Sequence, residues 1–295
     1  MEPYYDRTDF ESSSDPWNGW SRPPCGNTLT IDSTSGNHFA DFDACSSVLI
    51  SKTLEGLTPK AVYRLSIRVR RKENSSTNST LGFALDGIPL GIKQEVTDTQ
   101  WRTLYWTFQP AAEVQQMQLV VQEQGAGTDN WGLNFDDIRI CIATYTESFE
   151  GQADRLINAG GLIQLPTMTL HLLESPAAVR AGIIGYSYPV PGFMHGKAIS
   201  LQHGQSNPPA VQRMRIDLAV PCGHIKFAWS WRQRPGEVRF LDEEGNLLEA
   251  LGFDSDPKDH WVECRAPAER YIASMIVTAR DWGFLDLFTM TQPDA

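Results

Sequence analysis

Residues 63–71 alternate without a break. Tyr63, Leu65, Ile67 and Val69 fall on one side of an extended chain, and Arg64, Ser66, Arg68 and Arg70 on the other. A period of two suits a half-buried β-strand and not a helix. Short runs of this kind recur at residues 48–54, 81–85, 101–108, 117–122 and 133–142. They return at 197–201, 225–232, 238–241, 247–251, 261–266, 272–278 and 282–290. Gly, Pro, Asn, Asp and Ser separate them, and helical periodicity is nearly absent. That spacing predicts an all-β chain built as sandwiches. Asp86-Gly87 between apolar runs is a strong hairpin signal, and residues 242–246 form a longer hairpin loop.

The order of runs repeats. Asp9-Phe10-Glu11 opens a first half that closes with Phe135-Asp136-Asp137-Ile138. Ser148-Phe149-Glu150 opens a second that closes with Leu285-Asp286-Leu287-Phe288. A repeat of domain size implies duplication of one fold. Two domains are therefore expected, at 1–145 and 146–295. In this alignment the run 197–201 matches the run near Val48, and 225–232 matches 63–70.

Charge narrows the partners. The net charge is −11, with 12 Lys+Arg against 18 Asp+Glu in residues 1–145 and 13 against 18 in 146–295. An evenly acidic surface repels phosphate backbones, so nucleic acid is not an expected partner. The one basic run, Arg68 to Lys72, reads as a solvated strand end, with a polyanion site as the alternative. No apolar run is long enough to span a bilayer. The N-terminal residues lack the pattern of a secretory signal peptide, which points to the cytoplasm or to export by another route. Five cysteines are too few for a disulfide framework. Cys25 and Cys45 are the one candidate pair, and free thiols are the default.

At the opening and closing segments the chain resembles carbohydrate-binding modules and galactose-binding-like jelly rolls. The residues that carry this are Phe10-Glu11 with Gly19-Trp20, Phe149-Glu150-Gly151, the two closing phrases, and Gly56-Leu57-Thr58-Pro59 followed by Tyr63-Arg64-Leu65-Ser66. The resemblance implies two tandem jelly-roll β-sandwiches. It also implies a structural calcium ion between first and last strands. A hard cation takes oxygen ligands, and the matching carboxylates are Glu11 with Asp136 or Asp137, and Glu150 with Asp286. The second half departs from the pattern, because Leu287 stands where the first has Asp137. The alternative is that these carboxylates accept hydrogen bonds from loop amides.

Sugar recognition needs flat aromatic faces with polar groups at the rim. Loop aromatics are the best candidates: Trp17 and Trp20, and Tyr186 and Tyr188. Trp131 and Trp282 occupy equivalent places and rank lower, since their equivalence suggests a structural role. Trp101 and Trp106 have opposite parity, so one of them points out of the core. Phe227, Trp229 and Trp231 read as an inward stripe. Lys226, Ala228, Ser230 and Arg232 read as a polar row of the kind used as a cleft, with Arg232 as a ligand contact. No HExxH, GxSxG, Walker or dinucleotide motif is present. The expected function is non-catalytic, lectin-like binding of a glycan or glycoconjugate. The rival readings are a protein-interaction or toxin-type receptor-binding module, and a jelly-roll hydrolase or lyase.

Overall fold

A computed structural model describes residues 5–22, 27–31, 37–43, 48–73, 75, 78–123, 132–204, 211–230, 234–255 and 259–292. The described residues are strands, turns and loops, with no helix among them. The chain divides between Ala143 and Thr144 into two compact units.

The first unit holds β1 (Tyr5–Thr8), β2 (Asn27–Ile31), β3 (His38–Asp43), β4 (Val48–Leu54), β5 (Tyr63–Arg71) and β6 (Ser79–Leu85). It continues through β7 (Ile88–Pro89), β8 (Gln94–Val96), β9 (Arg102–Phe108), β10 (Gln115–Glu123) and β11 (Gly132–Ile142). One sheet runs β2-β3-β11-β5-β9, with β1 also on β11. The other runs β4-β10-β6-β7, with β8 on β6. The alternation of β5 puts Tyr63, Leu65, Ile67 and Val69 fully inside. Leu133 and Phe135, Leu104 and Trp106, and from the second sheet Leu81, Phe83, Met117 and Leu119 are buried as well. Burying each such side chain favours folding by about 1.5–3 kcal/mol. Asp86 and Gly87 take φ of 49° and 79°, as a tight hairpin turn requires, and Leu85 pairs with Ile88 across it.

The second unit holds β12 (Thr144–Glu147), β13 (Arg155–Ile157), β14 (Leu162–Gln164), β15 (Met168–Glu174), β16 (Val179–Gly185), β17 (Lys197–Gly204) and β18 (Gln212–Cys222). Then come β19 (His224–Ser230), β20 (Gly236–Leu241), β21 (Leu247–Phe253), β22 (His260–Arg265), β23 (Ile272–Ala279) and β24 (Phe284–Thr291). The sheets are β13-β16-β17-β24-β19-β22, with β12 on β24, and β14-β15-β18-β23-β20-β21. Phe227 and Trp229 point inward from β19, and Phe227 stacks on Phe288 at 4.7 Å. Trp229 lies so close to Gly236 that a side chain there would strike its ring.

Strand by strand, β5, β9, β10 and β11 occupy the places of β19, β22, β23 and β24. One expected match is corrected. β17 pairs with β24 as β3 pairs with β11, and β18 pairs with β23 as β4 pairs with β10. The counterpart of the Val48 strand is therefore β18, and β17 corresponds to β3. The duplication extends to backbone strain. Phe10 and Phe149 both sit at φ 60°, and Asp137 and Leu287 at 45° and 51°. The last two mark a register shift in the same ladder of each unit, β11 on β5 and β24 on β19. A bulky residue in the left-handed region costs about 1–3 kcal/mol, so the surrounding structure imposes the bulge in both halves.

Cys141, Cys222 and Cys264 are buried, and burial pushes the Cys141 thiol up to about 12. Cys25 and Cys45 lie outside the described residues.

Candidate functional site

One concavity of the second unit begins with the chain from β16 to β17, residues 186–196. This segment folds back over the outward face of its sheet. Tyr186, Phe193 and Met194 pack there with Ala198, Ala228 and Phe284 into a small buried cluster. The Tyr186 ring lies 4.9 Å from Phe284, and its hydroxyl is 3.2 Å from Ser230 Oγ. Tyr188, next on this segment, touches Tyr186 edge-on at 6.4 Å but stays 61% exposed. Beside it opens a cleft of about 470 Å³ lined by Tyr188, Trp282, Phe284, Ser200, Gln202 and His203. Trp282 is 41% exposed. Gln202 is 3% exposed, and its Oε1 has no hydrogen-bond partner among the described residues. A buried carbonyl without a donor is costly, and a ligand hydroxyl would satisfy it.

The structure corrects several expected contacts. Trp17 and Trp20 are buried, not presented to a ligand. Trp17 meets Phe10 edge-on at 5.1 Å, and Trp20 Nε1 donates to Thr8 Oγ1 at 3.1 Å. Their loop is tied back by Asp15, which accepts from the Trp17 and Gly19 amides. Tyr186 is the floor of the apolar cluster, so only Tyr188 of that pair faces the cleft. Ala228 and Ser230 are fully buried beneath residues 186–196, so the polar row of β19 is not an open surface there. Arg232, Trp231 and Trp131 lie outside the described residues. Trp106 is in the core against Phe83, and Trp101 is the outward member of its pair. Ser200 and Gln202 escaped the sequence reading. Their only signal was a polar outward row on β17, alternating with Ile199 and Leu201.

In each unit the opening and closing carboxylates accept hydrogen bonds from residues of one loop. Glu11 accepts from the His38 amide at 2.6 Å and contacts His38 Nδ1 at 2.7 Å. Asp136 accepts from Asn37 Nδ2 at 2.9 Å and from the Asp137 amide at 2.7 Å. In the second unit Glu150 accepts from the Lys197 amide at 3.3 Å. Asp286 accepts from the His195 amide at 3.4 Å and the Leu287 amide at 2.7 Å. A Cβ on Gly196, at φ 61°, would collide with the Glu150 carboxylate, so this glycine leaves the seat open. Burial pushes Asp136 up to about 6. Burial also pushes Asp286 up to about 7, and the nearby Glu150 charge adds to it. Burial raises Asp137 too, but Arg139 and Arg7 outweigh it and hold its carboxyl below the usual range. Asp137 is thus spent on two arginines, at 2.8 Å each. Among the described residues no three His, Cys, Asp or Glu side chains converge on a metal position. The oxygen-only pair Glu150 and Asp286 fits a hard cation only with backbone carbonyls or water completing the shell.

No family model and no curated protein matches the chain. Solved structures do. Carbohydrate-binding modules are among the structural neighbours. The tandem family 22 modules of Paenibacillus barcinonensis Xyn10C match at 12% identity and TM-score 0.37, covering 97% of each chain. The C-terminal family 22 module of Clostridium thermocellum Xyn10B matches at 17% identity and TM-score 0.37, over 47% of this chain and 94% of that one. A family 36 carbohydrate-binding module in complex with calcium and xylotriose matches at 12% and 0.32, over 46% and 98%.

Proposed function

We propose that the chain is a non-catalytic, lectin-like glycan-binding protein and that the second unit's cleft takes a sugar. The observation that carries this is the cleft itself: two exposed aromatic rings, Tyr188 and Trp282, beside a buried Gln202 carbonyl that has no donor among the described residues. A pyranose offers a C–H face to each ring and a hydroxyl to the amide. The cleft volume lies within the range of small-ligand sites. The protein-receptor alternative would draw on an apolar patch at residues 186–194, but Tyr186, Phe193 and Met194 are turned inward. We further propose that Glu150 with Asp286, and Glu11 with Asp136, hold a structural calcium ion that ties the first strand to the last. When bound, the ion would neutralise the paired carboxylates and fix the loop between them.

Titration calorimetry against neutral oligosaccharides, xylohexaose among them, tests the cleft. Trp282→Ala is expected to weaken binding by about tenfold or more, as the loss of a stacking ring does. Unchanged affinity in Trp282→Ala and Tyr188→Ala together would remove this cleft as the site.

A further inference from the structure

The outward face of the first unit's six-stranded sheet carries different chemistry. β5 turns Arg64, Ser66, Arg68 and Arg70 to this face. Trp101, just before β9, lies across it with both guanidinium groups on its ring: Arg68 at 5.0 Å and Arg70 at 4.6 Å from the centroid. Arg70 also lies 5.4 Å from the Phe39 centroid, and Phe39 braces Trp101 edge-on at 5.7 Å. Aromatic packing holds these guanidinium planes in place, while the Arg68 side chain stays 39% exposed.

The nearby carboxylates are committed elsewhere. Asp41 pairs with Lys72, Asp137 with Arg7 and Arg139, and Glu11 with His38. Asp136 reaches Arg68 only at 3.9 Å, while it accepts closer bonds from Asn37 and the Asp137 amide. Arg70 donates from Nε to the neutral Asn134 Oδ1 at 3.2 Å, and no carboxylate among the described residues pairs with it. A planar cation fixed on an indole, with no counter-charge among the described residues, is a ready receptor for an anionic group carried by a sugar ring. The chain's net charge of −11 does not oppose this at contact. At physiological ionic strength charges beyond about 8 Å are largely screened, so the local guanidinium groups decide.

We propose that this face is a second glycan site, separate from the cleft, and that it binds a pyranose bearing an anionic group. Trp101 would stack the ring, and Arg70 with Arg68 would bind the carboxylate or sulfate through paired N–H donors. This site stands on its own residues and does not depend on sugar binding in the second unit.

The test uses the full chain carrying Trp282→Ala, which silences the cleft. Hexagalacturonate, a sulfated hexasaccharide and xylohexaose are titrated into it. At least one of the two acidic probes is expected to bind, and more tightly than xylohexaose. Binding of hexagalacturonate alone assigns a carboxylate ligand, and of the sulfated probe alone a sulfate ester. Adding Arg70→Gln should weaken that binding about tenfold or more, the scale of losing a charged hydrogen bond. Adding Arg70→Lys keeps the charge but not the fork, and should weaken it less. Melting curves of both variants separate lost binding from lost folding. No acidic probe bound at millimolar concentration, or equal affinity in the Arg70→Gln and Arg70→Lys variants and their parent, would overturn the proposal. Failure of the cleft in unsubstituted protein would instead appear as xylohexaose binding that Trp282→Ala leaves unchanged.

Discussion

The two units share a scaffold and part company on one face. The ladders fix the correspondence. Arg68 pairs with Asp136 as Ala228 pairs with Asp286, and Arg70 pairs with Asn134 as Ser230 pairs with Phe284. The first unit has two arginines and an amide there, under a tryptophan. The second has Ala, Ser and Phe, and residues 186–196 close over them. A small side chain at 228 leaves room for Met194 and Tyr186, whereas an arginine at 68 fills that space and demands solvent or an anion. The inward faces barely differ in character, since both must fill a sandwich. The two units share the side that packs and differ on the side that faces outward, as fold and function separate elsewhere.

Exchanging residues at this position gives the largest effect. Ala228→Arg would force a guanidinium under Tyr186 and Met194 in a fully buried place. It should cost about 3 kcal/mol or more, through overpacking and an incompletely paired charge. Arg68→Ala removes a half-exposed side chain stacked on Trp101 and should cost about 1 kcal/mol or less. Thermal or urea melts of the two variants check this. Equal losses would mean the two faces are not as different as the packing indicates.

Calcium sharpens the contrast next. In the first unit Arg68 stands 3.9 Å from Asp136 and already supplies positive charge. In the second, Ala228 supplies none, and Glu150 and Asp286 repel each other. The absence of a second Asp, where Leu287 stands, takes nothing from the second site, because Asp137 is consumed by Arg7 and Arg139. Calcium should therefore favour the second unit. At about 100 times its dissociation constant it should add about 2.7 kcal/mol, and Asp286→Asn should abolish most of the gain. Glu11→Gln should leave most of it. Melts in excess calcium and in excess chelator, for each variant, would break the ranking if Glu11→Gln proved the more damaging.

Much of this scaffold was legible in the sequence, and the physical reason is periodicity. The β5 alternation, the Asp86-Gly87 turn and the opening and closing phrases each follow from local rules that leave a mark in one dimension. The four carboxylates stand out because each lies within a repeated phrase. Contact surfaces leave a weaker mark. Trp17, Trp20 and Tyr186 look like loop aromatics, yet loops that fold back over a sheet bury their rings. Gln202 lies just past the run 197–201, and only the packed strand shows that its carbonyl has no partner among the described residues. The mismatch of β17 had a similar origin, since the second unit has more strands before it and only sheet pairing fixes which strand is which.

Two slopes of opposite sign are expected in acid and near neutrality. In chelator, Asp286 has its folded pKa raised to about 7, so the native state holds its proton more tightly than the unfolded chain does. That contribution is full below the unfolded value near 4 and is lost as pH rises to about 7. The slope is at most about 1.4 kcal/mol per pH unit, and Glu150 and His195, which face this carboxyl, will modulate it. Asp242 works the other way. Burial pushes its carboxyl up, but hydrogen bonds from Arg270 and Asn246 outweigh this and leave it below its ordinary value. Its contribution is present above about 4 and is lost as pH falls through the lowered value. Asp86 does the same for the matching hairpin of the first unit, bonded to the Gln116 amide at 2.7 Å and to Gln115. Melts of the chain in chelator from pH 3 to 8 should thus show stability highest between the two limbs. Asp286→Asn should flatten only the neutral limb, and Asp242→Asn only part of the acid limb, since Asp86 remains. Loss of both limbs in one variant would show that the carboxyls titrate as one coupled system, and the two units could then not be compared site by site.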